Sequence, residues 1–543
     1  MSALRLPLAL LLALLPASAL AGPDETSGAS RRAIEQGELA GTREGELVVF
    51  RGIPYAAPPV GERRWKPPGP APSWSGIRNA AEFGPACMQP ALPPSSLYYE
   101  PFPHTSEDCL TLSVWAPGEA QNAPVIVWIH GGSLRVGSSA SPMYDGANFA
   151  RRGAVFVSLN YRLGALGWMA HPALSSELPH GVSGNYGLLD QIAALYWVRA
   201  NVAAFGGDPR NVTVMGESAG ALSVSYLLVS PLARGLFDKA IVQSVNARAF
   251  PALAEPVFGM PSAETTGERL FDKLDLRGLP AARAMDAQQL VDRATQAGFS
   301  PQGTIDGEVL PMQIIDAFDR GAQAKVPVLA GINSGEVRAQ RALLPPAPAS
   351  AEAYEKAAKA AHGDLAAAFL RLYPTGRIDD SMLATARDGI YGWATERIVR
   401  KQAAAGQNAY FFVFHHCYPA ARARDLCAFH AGELPFVFGG IRRDDLPPNW
   451  PVPSGPADAA LSQTMMDYWV SFAATGTPRS DRGPAWPRYG DGEAYMRFDH
   501  GAHPGIDPLP GMFELHEKIV QRRKSADRQW FLSAGVDASP KRQ

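Results

Sequence analysis

Apolar positions along this chain gather into short, nearly unbroken runs, with stretches of helical spacing between them. Pro124-Val-Ile-Val-Trp-Ile129, Ala154-Val-Phe-Val-Ser-Leu-Asn160, Val326-Pro-Val-Leu-Ala-Gly-Ile-Asn333 and Ala409-Tyr-Phe-Phe-Val-Phe414 are apolar at most positions, and Lys239-Ala-Ile-Val-Gln-Ser244 reads as a further strand. Runs of this length predict strands buried on both faces of a parallel sheet. Leu110-Thr-Leu-Ser-Val-Trp115 alternates instead, as a strand with one covered face does. Helical periodicity occupies 188–204 and stops at Phe205-Gly-Gly-Asp-Pro209. Alternation of strand and helix predicts a doubly wound α/β sheet. Near the start, 37–41 and 47–50 predict a small hairpin, and the proline-rich stretch from Phe50 to Gly61 predicts a packed loop. Residues 251–324 and 343–400 become mostly helical, predicting helical insertions in a single α/β domain that spans 22–543.

The first residues follow another pattern. Arg5, the apolar run Leu6–Leu15 and Ala19-Leu-Ala21 predict a signal peptide cleaved near Ala21, giving a secreted or periplasmic protein. The rival reading, a membrane span, fits poorly because the run is short and interrupted by Pro7 and Pro16. No later apolar run has the length to cross a bilayer, so no stable membrane anchor is expected. A net charge of −2 gives no electrostatic reason to expect nucleic acid or an anionic surface as a partner. Export changes the reading of the four cysteines, Cys87, Cys109, Cys417 and Cys427. Two disulfides are then the default, and of the three possible connectivities proximity favours Cys87–Cys109 and Cys417–Cys427. The cysteines lack paired Cys-x-x-Cys spacing, so no metal site is expected.

Candidate chemistry centres on Gly216-Glu-Ser-Ala-Gly220, set between the β-branched run Val212-Thr-Val214 and a helix opening at Ala221. Gly-x-Ser-x-Gly in that setting is a nucleophile elbow: glycines permit a turn too sharp for side chains, and the serine stands clear of the sheet. A serine hydroxyl needs a base oriented by an acid, and on this kind of sheet the order is serine, acid, histidine. Glu336 follows the strand ending at Asn333; its plainer reading is an exposed turn glutamate. Downstream of Glu336 lie His362, His415, His416, His430, His500, His503 and His516. His415 and His416 continue an apolar strand and read as structural, whereas His430 sits in a small-residue loop, Phe429-His-Ala-Gly432, suited to a base. Backbone N–H donors for an oxyanion are expected from Ile129-His-Gly-Gly-Ser133, a glycine-rich loop after a buried strand.

The chain resembles the type-B carboxylesterase family of the α/β-hydrolase superfamily, from about Gly37 to Asp499. The resemblance is carried by Gly52-Ile-Pro-Tyr-Ala56, Ser106-Glu-Asp-Cys-Leu110, Trp128-Ile-His-Gly-Gly132, Asn160-Tyr-Arg162, Gly184-Asn-Tyr-Gly-Leu188, Gly216-Glu-Ser-Ala-Gly220, Glu433-Leu-Pro-Phe-Val-Phe-Gly439 and Tyr468-Trp469. It implies an α/β-hydrolase fold, with Ser218 as nucleophile, Glu336 as acid and His430 as base. It further implies oxyanion donors at Gly132, Ser133 and Ala219, a Cys87–Cys109 disulfide, Glu217 as a carboxylate near the imidazole, and Ser244 as a buried hydrogen-bonding neighbour. The implied activity is two-step hydrolysis of a small to medium ester by water, without cofactor or metal. The chain departs from the family where Ser133 replaces a third glycine and Leu134 an aromatic, and in its Cys417 and Cys427. Arg135, next in line, reads either as a solvent-facing cation or as a group that binds a substrate carboxylate. A catalytically silent binding protein and an amide or carbamate hydrolase are the alternative functions. A histidine base predicts activity rising with pH through about 6–7.

Overall fold

The computed structural model describes residues 29–102 and 104–530; the expected signal peptide lies outside the described residues. A 13-stranded sheet runs through the molecule. Its middle is seven parallel strands in the order Val155–Leu159, Ala123–Ile129, Gly207–Glu217, Lys239–Gln243, Val328–Asn333, Ala409–Phe414 and Ala494–Phe498. Antiparallel strands flank them, Thr111–Pro117, Leu47–Pro54, Gly37–Glu44 and Ala29–Ile34 on one side and Ala502–Ile506 on the other.

The continuous apolar runs are explained by what lies on either side. Side chains alternate faces along a strand, so Val125, Val127 and Ile129 enter one hydrophobic cluster while Ile126 and Trp128 enter another. Ala240 and Val242 part from Ile241 in the same way, as do Val328, Ala330 and Ile332 from Leu329. Helices Tyr186–Asn201 and Ala219–Val229 lie against the first cluster, and all eleven residues of the second helix are buried. Helix Pro456–Thr475 covers the opposite face through Leu461, Met465, Trp469 and Phe472.

Two expectations change. The segment from Phe50 is not all loop: strand Leu47–Pro54 continues through it, with a break in register between Phe50 and Ile53. Gly52 makes the break possible, with φ +65° and a backbone so close to Glu82 that an added Cβ would lie 2.7 Å from its carbonyl oxygen. The helix after the elbow begins at Ala219 rather than Ala221. Helices lie within both stretches expected to be helical, among them Ala263–Leu274, Ala287–Gln296, Ala351–His362 and Trp393–Ala404. Among the described residues no helix is long and apolar enough to cross a membrane. Cys87 is joined to Cys109 and Cys417 to Cys427, a pairing compatible with an oxidising compartment.

Candidate active site

Strand Gly207–Glu217 ends directly at Ser218, which adopts φ 56° and ψ −120°. That backbone costs of order 1–3 kcal/mol for a residue with a side chain, and its surroundings hold it. Ser218 N–H donates to the carbonyl of Gln243 on the neighbouring strand at 2.9 Å, and its own carbonyl accepts from Leu222 N–H at 2.9 Å. The flanking glycines are a steric requirement. A Cβ on Gly216 would sit 2.4 Å from the Gly220 carbonyl, and one on Gly220 would sit 2.0 Å from the Ile129 carbonyl oxygen. Strand, Ser218 and helix therefore pack as closely as backbone allows.

The loop after Ala123–Ile129 comes up beside the serine. A Cβ on Gly131 would lie 3.3 Å from Ser218 Cβ. Gly132, Ser133 and Leu134 all have positive φ, 102°, 58° and 57°, so three successive residues curl the chain in the left-handed sense. Among the described residues the N–H groups of Gly132, Ser133 and Ala219 donate to no backbone carbonyl. Ser133 in place of a third glycine thus keeps the curled backbone, and Leu134 points into the hydrophobic core with 1% exposure.

Glu336 and His430 meet on the far side of the elbow. Glu336 opens the turn after Val328–Asn333, and the two loops are tied by Gly335 N–H to the Ala428 carbonyl (2.9 Å) and His430 N–H to the Glu336 carbonyl (3.2 Å). Ala428 and Ala431 take φ 45° and 66°, which winds the small-residue loop around the histidine. His430 Nδ1 lies 2.6 Å from Glu336 Oε2. Glu336 Oε1 accepts from Ser244 Oγ at 2.6 Å and from Asn333 N–H at 2.8 Å. Both side chains are buried, Glu336 with no exposure at all.

Glu217 closes the other side of the ring: its Oε1 is 3.1 Å from His430 Nε2. Among the described residues Nε2 has no hydrogen-bond partner, Ser218 Oγ included. The structure thus joins Glu336, Ser244 and His430 directly and sets Glu217 against the imidazole, while the serine hydroxyl is not bonded to it. Burial alone would depress the His430 pKa, but the carboxylates of Glu217, Glu336 and Glu433 prevail and raise it from 6.5 to about 9. Burial raises Glu217 to about 8, with the His430 cation opposing the rise and Glu433 and Glu336 adding to it.

Sequence reasoning missed several groups around this cluster. Tyr391, from the second helical insertion, stacks on the His430 ring with centroids 4.7 Å apart, and Tyr98 OH donates to the His430 carbonyl at 3.1 Å. Asn333 Nδ2 donates to the Phe429 carbonyl (2.7 Å) and Glu433 Oε2 (2.5 Å), and Gln243 Nε2 to Glu433 Oε1 (2.7 Å). Asn333 and Glu433 stand within three residues of Glu336 and His430, a proximity that could have marked them; Tyr391 carries no such signal. His416 is buried against Asp458 Oδ1 at 2.6 Å, in keeping with a structural part.

Two cavities of about 430 Å³ each reach the cluster. One is bounded by Ser218, Ala219, Ser133, Leu134 and Arg135 with Tyr391. The other is bounded by His430 and Glu217 together with Tyr98, Glu100, Phe102 and Trp450. Among the described residues no cluster of three or more His, Cys, Asp or Glu is placed to hold a metal ion.

This arrangement can be set beside known proteins. The model of the carboxylesterase family matches residues 29–507. A fumonisin B1 esterase of Sphingopyxis macrogoltabida is 39% identical over 472 residues, covering 84% of either chain. A para-nitrobenzyl esterase of Bacillus subtilis is 36% identical over 462 residues, 84% of this chain and 91% of its own. Among solved structures, a PNB esterase superposes with a TM-score of 0.77 at 33% identity, over 89% of this chain and 99% of that one. A Geobacillus stearothermophilus carboxylesterase gives 0.75 at 33% identity, over 92% and 100%.

Proposed function

The chain belongs to the carboxylesterase family, with its α/β-hydrolase fold and ester-hydrolysing activity, and from that premise we propose that it acts by two-step acyl transfer through Ser218, His430 and Glu336. The observation that carries the reading is the buried imidazole, held at Nδ1 by Glu336 at 2.6 Å beside a serine on a nucleophile elbow. With a proton on Nδ1, the Nε2 lone pair is the base. The imidazole turns from Glu217 towards Ser218 and takes the hydroxyl proton as Oγ attacks the ester carbonyl carbon. The carbonyl oxygen becomes an oxyanion bound by the N–H groups of Gly132, Ser133 and Ala219. His430 then passes its proton to the departing alkoxy oxygen, the C–O bond breaks, and an acyl-serine remains. Water repeats the sequence, giving up a proton to His430 and releasing the carboxylic acid and Ser218.

The substrates are small to medium organic esters, the range suggested by relatives named for fumonisin B1 and para-nitrobenzyl esters. A single catalytic domain exported behind the leader at 1–21 completes the reading, supported by the two disulfides. Incubation with a fluorophosphonate probe tests it. One equivalent of label on Ser218 and parallel loss of p-nitrophenyl acetate hydrolysis are expected; a folded protein that takes up no label is a silent binding protein instead.

The pH profile follows from the charges around the base. Only neutral His430 accepts the serine proton, so a pKa raised above 6.5 moves the rising limb of kcat/KM to the alkaline side of the 6–7 expected from an unperturbed imidazole. Glu217→Gln removes the negative charge nearest Nε2. The limb is expected to fall by about one unit or more, measured as kcat/KM from pH 5 to 10. A limb that stays in place would show that Glu217 does not set the pKa of the base.

A further inference from the structure

The two cavities at the cluster are sorted by charge. The one Ser218 opens into is lined by Arg135 and Arg248, and none of its lining residues is acidic. The one His430 opens into is lined by Glu100 and Glu217 and by no lysine or arginine. The leaving alcohol has to lie against the imidazole that protonates it, which assigns it to the acidic cavity. The acyl chain, pinned by its carbonyl at the oxyanion donors, then extends into the basic one.

Arg135 is delivered to that cavity by the backbone. The Gly132 carbonyl accepts the N–H groups of both Arg135 and Val136 at 3.0 Å, and Gly164 N–H holds the Leu134 carbonyl at 2.8 Å. This turn drives Leu134 into the core and leaves Arg135, the next residue, exposed at the cavity wall. Arg248 comes from the other side, on the chain that follows strand Lys239–Gln243. Burial lowers its pKa, with Tyr226 and Tyr391 opposing the shift. Tyr391 OH donates to Gln340 Oε1 at 2.9 Å, which leaves the Gln340 NH₂ as a neutral donor on the same wall.

Given the acyl-transfer reading of Ser218, we infer that the preferred ester carries a free carboxylate on its acyl group, so that it is a monoester of a di- or polycarboxylic acid. Arg135 and Arg248 bind that carboxylate with charge-assisted hydrogen bonds. The products are the free polycarboxylate and the alcohol. The same anion placed on the alcohol side would meet Glu100 and Glu217, which burial holds partly protonated, and no lysine or arginine to bind it.

The test compares p-nitrophenyl butyrate with the mono-p-nitrophenyl esters of succinic and glutaric acid, in the wild type and in Arg135→Gln, Arg248→Gln and the double variant. The leaving group is identical throughout, so the ratio of kcat/KM for anionic over neutral ester isolates the acyl cavity. The wild type is expected to favour the anionic esters at least tenfold, and each substitution to lower the ratio about tenfold or more. Added salt should erode the ratio, more through the exposed Arg135 than through Arg248. A ratio near one in the wild type, or anionic and neutral rates falling together in the variants, overturns the inference. Should a variant fail to fold, competitive inhibition of the wild type decides: glutaramate, which keeps one free carboxylate, is expected to bind at least tenfold more tightly than neutral butyramide, and equal inhibition overturns it. Absence of hydrolysis of every ester would instead defeat the acyl-transfer reading.

Discussion

Ser218→Ala is expected to lower kcat for p-nitrophenyl ester hydrolysis about 10⁴-fold or more while leaving the melting temperature unchanged. The two halves of that outcome have separate causes. Only the hydroxyl is lost, and with it the atom that forms the acyl bond in the proposed mechanism, so neither His430 nor the proposed oxyanion donors would retain a step to assist except direct attack by water. Stability is untouched because alanine bears the φ 56° backbone as serine does, and the contacts that hold it are main-chain bonds to Gln243 and Leu222. Both flanking glycines, which a side chain would destroy, remain. Purified variant and wild type are compared by steady-state rate, by fluorophosphonate labelling and by thermal melting. A folded variant that keeps a tenth of the wild-type rate rules Ser218 out as nucleophile.

What the sequence made legible was set by burial on both sides. Val155–Leu159, Val328–Asn333 and Ala409–Phe414 are buried at every position, and strands covered on both faces are the ones that leave nearly continuous apolar runs. The elbow was legible because Gly216 and Gly220 answer a contact of 2.0–2.4 Å that admits no other residue. The edges were not. Ala29–Ile34 carries Arg31 and Arg32, and no residue of Ala502–Ile506 is buried, so neither strand carries a face pattern to read. Edge strands are kept polar in this way to resist pairing with other chains.

The site divides along the same line. Glu336 and His430 lie in loops beyond the legible strands Val328–Asn333 and Ala409–Phe414, and the order of elements together with the family resemblance was enough to propose that they meet. Tyr391 and Tyr98 could not be placed, because they arrive on an insertion helix and a proline-rich loop whose paths leave no periodic trace. The raised pKa of His430 was equally hidden. It arises from Glu217, Glu336 and Glu433 converging on one buried ring, and the first and last of these are more than two hundred positions apart in the chain. The separation of charge between the two cavities has the same origin, since Arg135 and Arg248 become neighbours of one substrate only when two loops fold over the sheet.

Glu336→Gln is expected to cost nearly as much as loss of the nucleophile, roughly 10⁴-fold in kcat, although the side chains are almost the same shape. The reason lies in three donors around the carboxylate. Oε1 accepts from Ser244 Oγ at 2.6 Å and Asn333 N–H at 2.8 Å, and Oε2 faces His430 Nδ1 at 2.6 Å. A glutamine must choose which side receives its NH₂. Turned towards Asn333, the NH₂ would oppose a backbone N–H that cannot reverse its role, at a side chain with no exposure to solvent. The amide therefore keeps its oxygen there and points its NH₂ at His430. Nδ1 must then accept, so the ring proton moves to Nε2, the nitrogen that has to take the proton of Ser218. The imidazole keeps its place and loses its function as a base. KM should change little, labelling of Ser218 by fluorophosphonate should slow in proportion to kcat, and circular dichroism should be unaltered. Glu336→Asp, which preserves an acceptor on both sides but shortens the reach, should retain more activity than Glu336→Gln. Were the glutamine variant the more active of the two, the carboxylate would not be fixing the tautomer, and His430 would owe its orientation to Tyr391 and the loop alone.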